Sequence, residues 1–262
     1  MRYLRSGVGG SPLLLIHGLL GYSFSWRLNL SEFAQHFTVF APDLLGTGFS
    51  GRPPLLDCSL QTGARRLLEF METTGVGGAD VIGTSHGGAL AAMLAAEAPG
   101  SVRRLVLAAP VNPWSPHGRL RTRVLATPMA ARALRRCSPV LRPLHGYFLR
   151  RMYGDPRRIA PGTLEGYSRP VAVPGTLDYL LNVMACWHAD LRQLEHAYEC
   201  LPDVPVLLLW GERDGAVLPQ SAQEMQRRLR NSELVIMKGI GHLPYEEAPE
   251  EFNSLVLDFL RS

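Results

Sequence analysis

Six consecutive residues, Gly83-Thr84-Ser85-His86-Gly87-Gly88, have the types and spacing that nucleophilic chemistry needs. They follow a short apolar run, Ala79-Asp80-Val81-Ile82, and open an alanine- and leucine-rich stretch that starts Ala89-Leu90-Ala91-Ala92. A Gly-x-Ser-x-Gly pattern between a strand and a helix makes a nucleophile elbow. The turn is so sharp that a Cβ at Gly83 or Gly87, two residues either side of Ser85, would clash across it. The turn lifts the Ser85 hydroxyl clear of the sheet at a helix N-terminus, where the dipole favours a developing oxyanion. The five-residue pattern alone occurs often by chance; the strand before it and the helix after it give it weight.

A serine hydroxyl needs a base. His242, in Gly239-Ile240-Gly241-His242-Leu243-Pro244, stands just after the apolar run Leu234–Met237 and just before the last helical stretch. A loop there carries it over the sheet edge. The other histidines lack that setting: His36 ends a helix, and His117, His145, His188 and His196 lie in or beside a helical segment. The base needs a carboxylate to orient it and to stabilise the imidazolium. Asp214 fits, on the loop Gly211-Glu212-Arg213-Asp214 after the run Val206–Trp210, with Glu212 as its rival. The order Ser85, Asp214, His242, each behind a strand, is more specific than any one motif. Two N–H donors for the oxyanion are expected from the backbone of His86 and of Leu19, the latter in His17-Gly18-Leu19-Leu20-Gly21. Since both donors are backbone groups, the His86 imidazole is expected to be a packed or solvent-facing ring.

These residues hang on alternating elements. Pro12–Ile16, Thr38–Ala41, Ala79–Gly83, Arg104–Ala108, Val206–Trp210 and Leu234–Met237 read as buried strands, short, apolar and bounded by Gly, Pro or Asp. Phe24–His36, Gln61–Thr73, Ser85–Ala98, Pro219–Arg230 and Glu247–Leu260 read as helices between them. Strands without internal polar alternation predict a mostly parallel sheet covered on both faces. The alternation breaks once. Residues 112–197 show no strand and three amphipathic stretches, Arg119–Arg136, Pro139–Met152 and Leu177–Leu194. This predicts a helical insertion at 112–197 between two parts of one core, 1–111 and 198–262. Large apolar side chains are candidates for a substrate pocket: Trp114 and Trp187 from the insertion, and Leu20, Val217 and Leu243 from core loops.

Composition excludes other classes. Of 262 residues, 46% are hydrophobic and 19% charged, which is material for a core and the opposite of a disordered chain. No apolar run is long enough to span a membrane, and no signal-cleavage pattern follows Leu13-Leu14-Leu15-Ile16, so a cytoplasmic protein is expected. The four cysteines, Cys58, Cys137, Cys186 and Cys200, form no CxxC pair, which predicts free thiols and no metal site. The net charge is +4, and twelve arginines between Arg119 and Arg169 face only Asp155, Glu165, Asp178 and Asp190. Such a segment could steer an anionic substrate; without an aromatic-plus-basic motif it reads as a solvated helical face and not as a nucleic-acid surface.

Taken together, His17-Gly18-Leu19, Pro42-Asp43-Leu44-Leu45-Gly46-Thr47-Gly48-Phe49-Ser50, Gly83–Gly88, Trp210–Asp214, and Gly241–Pro244 with Glu247-Ala248-Pro249 resemble serine hydrolases of the α/β-hydrolase superfamily with a helical cap. The matches span nearly the whole chain outside the insertion. The resemblance implies catalytic roles for Ser85, Asp214 and His242 and a cap that shapes the pocket. It also implies departures. With only about a dozen residues before the Leu13–Ile16 run, the first strand is expected to be absent and Arg2–Arg5 to form one edge strand of a sheet of about seven. Related epoxide hydrolases and haloalkane dehalogenases use Asp at the elbow, so Ser85 disfavours both activities. The expected reaction is hydrolysis of a small-molecule ester with an apolar acyl or aryl part, without metal or organic cofactor. The alternatives are a carbon–carbon bond hydrolase of the type that cleaves meta-cleavage products, with Asn29 and a cap arginine as candidate carboxylate binders, and a small-molecule receptor on the same fold.

Overall fold

Six apolar runs and the short N-terminal segment Tyr3–Ser6 become the strands of one sheet. A computed structural model describes residues 1–116, 119–141 and 144–262, and the side chains at 119–121 and 138–141 are not described. His117, Arg142 and Pro143 thus lie outside the described residues. The strands are β1 (Tyr3–Ser6), β2 (Ser11–Ile16), β3 (Phe37–Pro42), β4 (Ala79–Thr84), β5 (Val102–Ala108), β6 (Val206–Gly211) and β7 (Ser232–Met237). Their order is β1-β3-β2-β4-β5-β6-β7. All neighbours pair in parallel except β1, which runs antiparallel on β3 with Tyr3 opposite Pro42. The expected single edge strand is therefore present, shifted one residue. Side chains alternate between two cores, as a pleated strand requires. Leu14, Ile16, Val81, Leu105, Leu107, Leu208 and Trp210 face one layer; Leu13, Leu15, Ile82, Val106, Leu207 and Leu209 face the other.

Helices cover both faces. α1 (Leu30–Phe33) is one turn, α2 (Leu60–Thr73) buries Leu60, Ala64, Leu67 and Met71 at helical spacing, and α3 (His86–Glu97) is buried almost all round. α2 starts on Ser59, whose hydroxyl accepts from Thr62 N. Between β5 and β6 lies the helical insertion: α4 (Arg119–Leu125), α5 (Pro128–Leu141), α6 (His145–Arg150), α7 (Thr163–Val171) and α8 (Thr176–Glu199). α9 (Gln220–Arg228), α10 (Pro244–Glu247) and α11 (Pro249–Arg261) complete the chain. Among the described residues no helix is long and apolar enough to cross a membrane. The ten insertion arginines whose side chains are described are all exposed, a solvated face.

Three predicted helices divide. Arg119–Arg136 breaks at Pro128, since proline disfavours helical backbone in the residue before it, and Thr127 Oγ1 then caps α5 through Ala130 N. The last helix breaks at Ala248, non-helical at φ −141° and ψ 65°, before Pro249. Phe24–His36 is a 3-10 turn at Ser23–Trp26 followed by α1. Trp26, Asn29 and Phe33 are all fully buried there, and Asn29 donates its side-chain amide to Tyr245 O (3.1 Å) and Asn253 Oδ1 (2.8 Å). This tertiary pairing decides the bend. α7 lacks a counterpart among the predicted helices.

A buried ion pair within the core anchors the insertion. Arg27 forks onto Glu246, Nη1 to Oε1 at 2.6 Å and Nη2 to Oε2 at 2.7 Å. Tyr153 and Tyr167, both from the insertion, add their hydroxyls to the same carboxylate at 3.1 and 2.5 Å. Arg27 Nη2 also reaches Thr163 Oγ1 at 2.6 Å. Glu246 is 3% exposed, so removing the cation leaves a buried carboxylate without its counter-charge. Arg27→Met should cost about 3–5 kcal/mol of unfolding free energy. Adding Glu246→Gln to it should recover part of that loss. Denaturant unfolding of the two variants measures both, and a single variant as stable as the parent would contradict the pairing.

Candidate active site

The elbow is built by close backbone approach. Ser85 sits between β4 and α3 at φ +52°, ψ −120°, a left-handed conformation that costs a non-glycine residue energy. Its neighbours hold it there. Ser85 N donates to Ala108 O at 3.0 Å, and Ser85 O accepts from Gly88 N, Ala89 N and Val111 N at 3.0–3.2 Å. A Cβ on Gly83 would meet Gly87 O at 2.5 Å and Gly88 Cα at 2.8 Å; one on Gly87 would run into the carbonyls of Ile16 and His17. Two further non-glycine residues with positive φ flank the elbow: Leu20 at +59°, after the loop that carries Leu19, and Ala109 at +45°, at the end of β5.

Asp214 and His242 come together on the same carboxyl edge of the sheet. His242 Nδ1 lies 2.7 Å from Asp214 Oδ2, and both residues are buried. The other carboxylate oxygen, Oδ1, accepts from Ala216 N at 2.7 Å and Val217 N at 2.9 Å. Those two N–H donors fix the plane of the carboxylate. Glu212, the rival, turns elsewhere: its Oε2 accepts from Gly239 N at 2.8 Å on the outside of the His242 loop. No hydrogen bond joins Ser85 Oγ to His242 in this conformation, a separation that apo sites often show before substrate binds. Among the described residues the backbone N–H groups of Leu19 and His86 have no acceptor, which leaves them available to a ligand oxygen.

Two side chains that support this edge stand in stretches that carry the family resemblance, but the sequence assigned neither a role. His17 is fully buried; its Nδ1 pairs with Gly18 O at 2.8 Å and its Nε2 accepts from Leu44 N at 3.0 Å. Burial lowers its pKa, so the ring is neutral, and it pins the Leu19 loop to the loop after β3. Glu247 accepts from Gly154 N, Asp155 N and Gly241 N, each at 2.8 Å. His242 N itself donates to Met152 O at 2.7 Å. The base loop is thus stitched to residues 152–155 of the insertion. Two glycines make this close approach possible: a Cβ at Gly154 would strike the backbone at 239–241, and one at Gly241 the backbone at 152–154.

The candidate pocket residues divide. Trp187 and Val217 line one cavity of about 40 Å³ with Val111, Asn112 and Ala216. Leu20 follows the Leu19 loop, and Leu243 is buried beside His242. Trp114 lies against Tyr198, ring centroids 5.4 Å apart, under the Arg228 guanidinium at 4.9 Å. Asn29 is held by Tyr245 and Asn253 in the core, which removes it as a carboxylate binder. Among the described residues no three His, Cys, Asp or Glu side chains gather as a metal site would require.

Comparison with known proteins agrees with this architecture. A family model described as the alpha/beta hydrolase fold matches residues 11–249. The chain is 30% identical over 98% of its length to the dihydrolipoyllysine-residue acetyltransferase component of the acetoin cleaving system of Cupriavidus necator, and spans 65% of that protein. It is 25% identical to a 2-hydroxy-6-oxo-2,4-heptadienoate hydrolase of Pseudomonas putida, covering 96% of this chain and 89% of that one. The solved structure of an epoxide hydrolase, CorEH, superposes with a TM-score of 0.84 at 23% identity, over 99% of this chain and 94% of its own.

Because the elbow depends on Gly87 pressing against the carbonyls behind it, Gly87→Ala should lower stability by about 3 kcal/mol. Gly77→Ala, where a Cβ meets open space, should change it little. Thermal unfolding of both variants checks the contrast, and equal melting temperatures would contradict the close approach.

Proposed function

The chain belongs to the alpha/beta hydrolase fold family, and within it we propose a serine hydrolase that cleaves carboxylic esters through an acyl-enzyme on Ser85. The observation that carries this reading is the buried Asp214–His242 pair at 2.7 Å on the sheet edge that also bears a strained serine. His242, held by Asp214 through Nδ1, takes the Ser85 proton on Nε2 as Oγ attacks the ester carbonyl. The N–H groups of Leu19 and His86 receive the negative charge that develops on the carbonyl oxygen. The imidazolium then gives its proton to the departing alcohol. Water, deprotonated by His242, attacks the acyl-enzyme and releases the acid. Asp214 stays ionised throughout. These steps call on no cofactor.

Serine at the elbow supports this reading over epoxide opening, for which related enzymes place an aspartate there. Carbon–carbon bond hydrolysis is the second reading, supported by the similarity to the Pseudomonas putida hydrolase along 96% of the chain. The insertion, tied to the base loop through Glu247, serves in either case as a cap over the substrate.

Turnover of p-nitrophenyl esters from acetate to long-chain acyl tests the primary reading. Multiple turnovers are expected, and Ser85→Ala should abolish them with little change in unfolding. Esters left intact beside a cleaved vinylogous diketone would move the assignment to the second reading. Asp214→Asn should lower kcat by about 10³–10⁴-fold, whereas Glu212→Gln should retain most activity. The opposite ranking in steady-state kinetics would reassign the acid.

A further inference from the structure

The four cysteines are free thiols in this structure, Cys137 and Cys200 exposed, Cys58 buried and Cys186 half-buried. The last two meet at the seam between the insertion and the core. Asn182, Cys186 and Asp190 stand four residues apart on α8, so they line one side of it. The outer two hold the chain that leads into α2. Asn182 Nδ2 donates to Leu56 O at 3.3 Å, and Leu60 N donates to Asp190 Oδ1 at 3.2 Å. From 182 to 190 the helix rises about 12 Å, and from 56 to 60 an extended chain covers about 13 Å. Residues 56–59 are not helical, and Ser59 is extended at ψ 148°. The segment therefore runs along α8 in step with it, and Cys58, midway along it, comes opposite Cys186. Cys58 packs in one apolar cluster with Tyr179, Val183 and Met184 of α8. Its thiol donates to Leu56 O at 3.4 Å, the carbonyl that Asn182 also holds. The backbone N–H of Cys58 favours the Cys186 thiolate, and charge on Cys186 opposes charge on Cys58, as sulfurs close to one another require.

We propose that Cys58 and Cys186 are a modification site, forming a reversible disulfide with a low-molecular-weight disulfide such as oxidised glutathione as the oxidant. The half-buried Cys186 reacts first. Its thiolate attacks one sulfur of the oxidant and expels one thiolate, leaving a mixed disulfide. The Cys58 thiolate then attacks the Cys186 sulfur and expels the second. Two protein S–H bonds are lost and one S–S bond forms; the oxidant is reduced to two thiols, which take the two protons. Burial pushes the Cys58 thiol up to about 12 and raises that of Cys186, so pairing is slow near neutral pH. Nearness of the second thiol, not reactivity of either, favours closure. The bond joins the insertion covalently to the core on the flank opposite Glu246 and Glu247. It also fixes Trp187, the next residue on α8, over the His86 ring, where the centroids are 6.4 Å apart. The attachment of the insertion then responds to the thiol redox state, whichever bond the active site cleaves.

The test incubates the reduced parent, Cys58→Ser and Cys186→Ser with excess oxidised glutathione for a day at about pH 8.5. Remaining thiols are then alkylated, and the protein is digested without reductant and mapped by mass spectrometry. In the parent, the peptides of Cys58 and Cys186 should appear joined, two hydrogens lighter than their sum, while Cys137 and Cys200 carry glutathione. In Cys58→Ser, Cys186 should carry glutathione instead. A disulfide that closes a long loop stabilises, so the oxidised parent should melt about 5–10 °C above its reduced form. Dithiothreitol should reverse the rise, and neither variant, treated alike, should show it. Cys58 and Cys186 recovered as free thiols or as separate glutathione adducts beside a reacted Cys137 would overturn the proposal. So would either of them joined to another cysteine, or a Cys58–Cys186 bond that leaves the melting temperature unchanged or lower.

Discussion

The carboxyl edge of the sheet depends on how closely α3 begins against β2. Gly87 touches the carbonyls of Ile16 and His17, Gly83 touches Gly87 and Gly88, and a Cβ on Gly18 would stand 3.2 Å from that of Ser85. Only glycines allow that spacing, and only that spacing holds Ser85 at positive φ with its hydroxyl above the edge. The same contact places the Leu19 loop beside the first N–H of α3, since both follow neighbouring strands. Strain at one residue is thus supported by packing and hydrogen bonds at many, notably those from Ala89, Val111 and Gly88 to Ser85 O. The elbow is a geometric consequence of glycine placement before it is a chemical one.

A second constraint comes from adjacent acids on α10. Glu246 gathers Arg27, Tyr153 and Tyr167; Glu247 gathers the backbone of Gly154, Asp155 and Gly241. Through them the insertion and the His242 loop behave as one packed unit, with His242 N bonded directly to Met152 O. Buried polar groups whose partners are all in place restrict their surroundings to one arrangement. On the opposite side α8 meets the stretch from β3 to the start of α2: Asn182 donates to Leu56 O at 3.3 Å, and Asp190 accepts from Leu60 N at 3.2 Å. Burial raises the Asp190 carboxyl to about 6. The insertion is therefore fixed at two flanks, and the elbow lies between them.

Much of this was legible in the sequence because strands and elbow are local. Continuous runs such as Leu13–Ile16 and Val206–Trp210 have one reading in a sheet covered on both faces, and Gly-x-Ser-x-Gly has one geometry between strand and helix. The Asp214–His242 meeting followed from chain order and strand ends. What was illegible is decided by partners distant in sequence. Asn29 bends a predicted helix because Tyr245 and Asn253, more than 200 residues on, take its amide. Glu247 looks like an ordinary first-turn acid until Gly154 and Gly241 are brought to it.

The central claim is that Ser85 becomes acylated. Mixing the protein with a p-nitrophenyl ester, quenching in acid within milliseconds, and mapping peptides by mass spectrometry tests it most directly. The account predicts one acyl mass on the peptide containing Ser85, appearing with the first equivalent of p-nitrophenol. Turnover with no acyl group on that peptide, or with the label on another side chain, would contradict it.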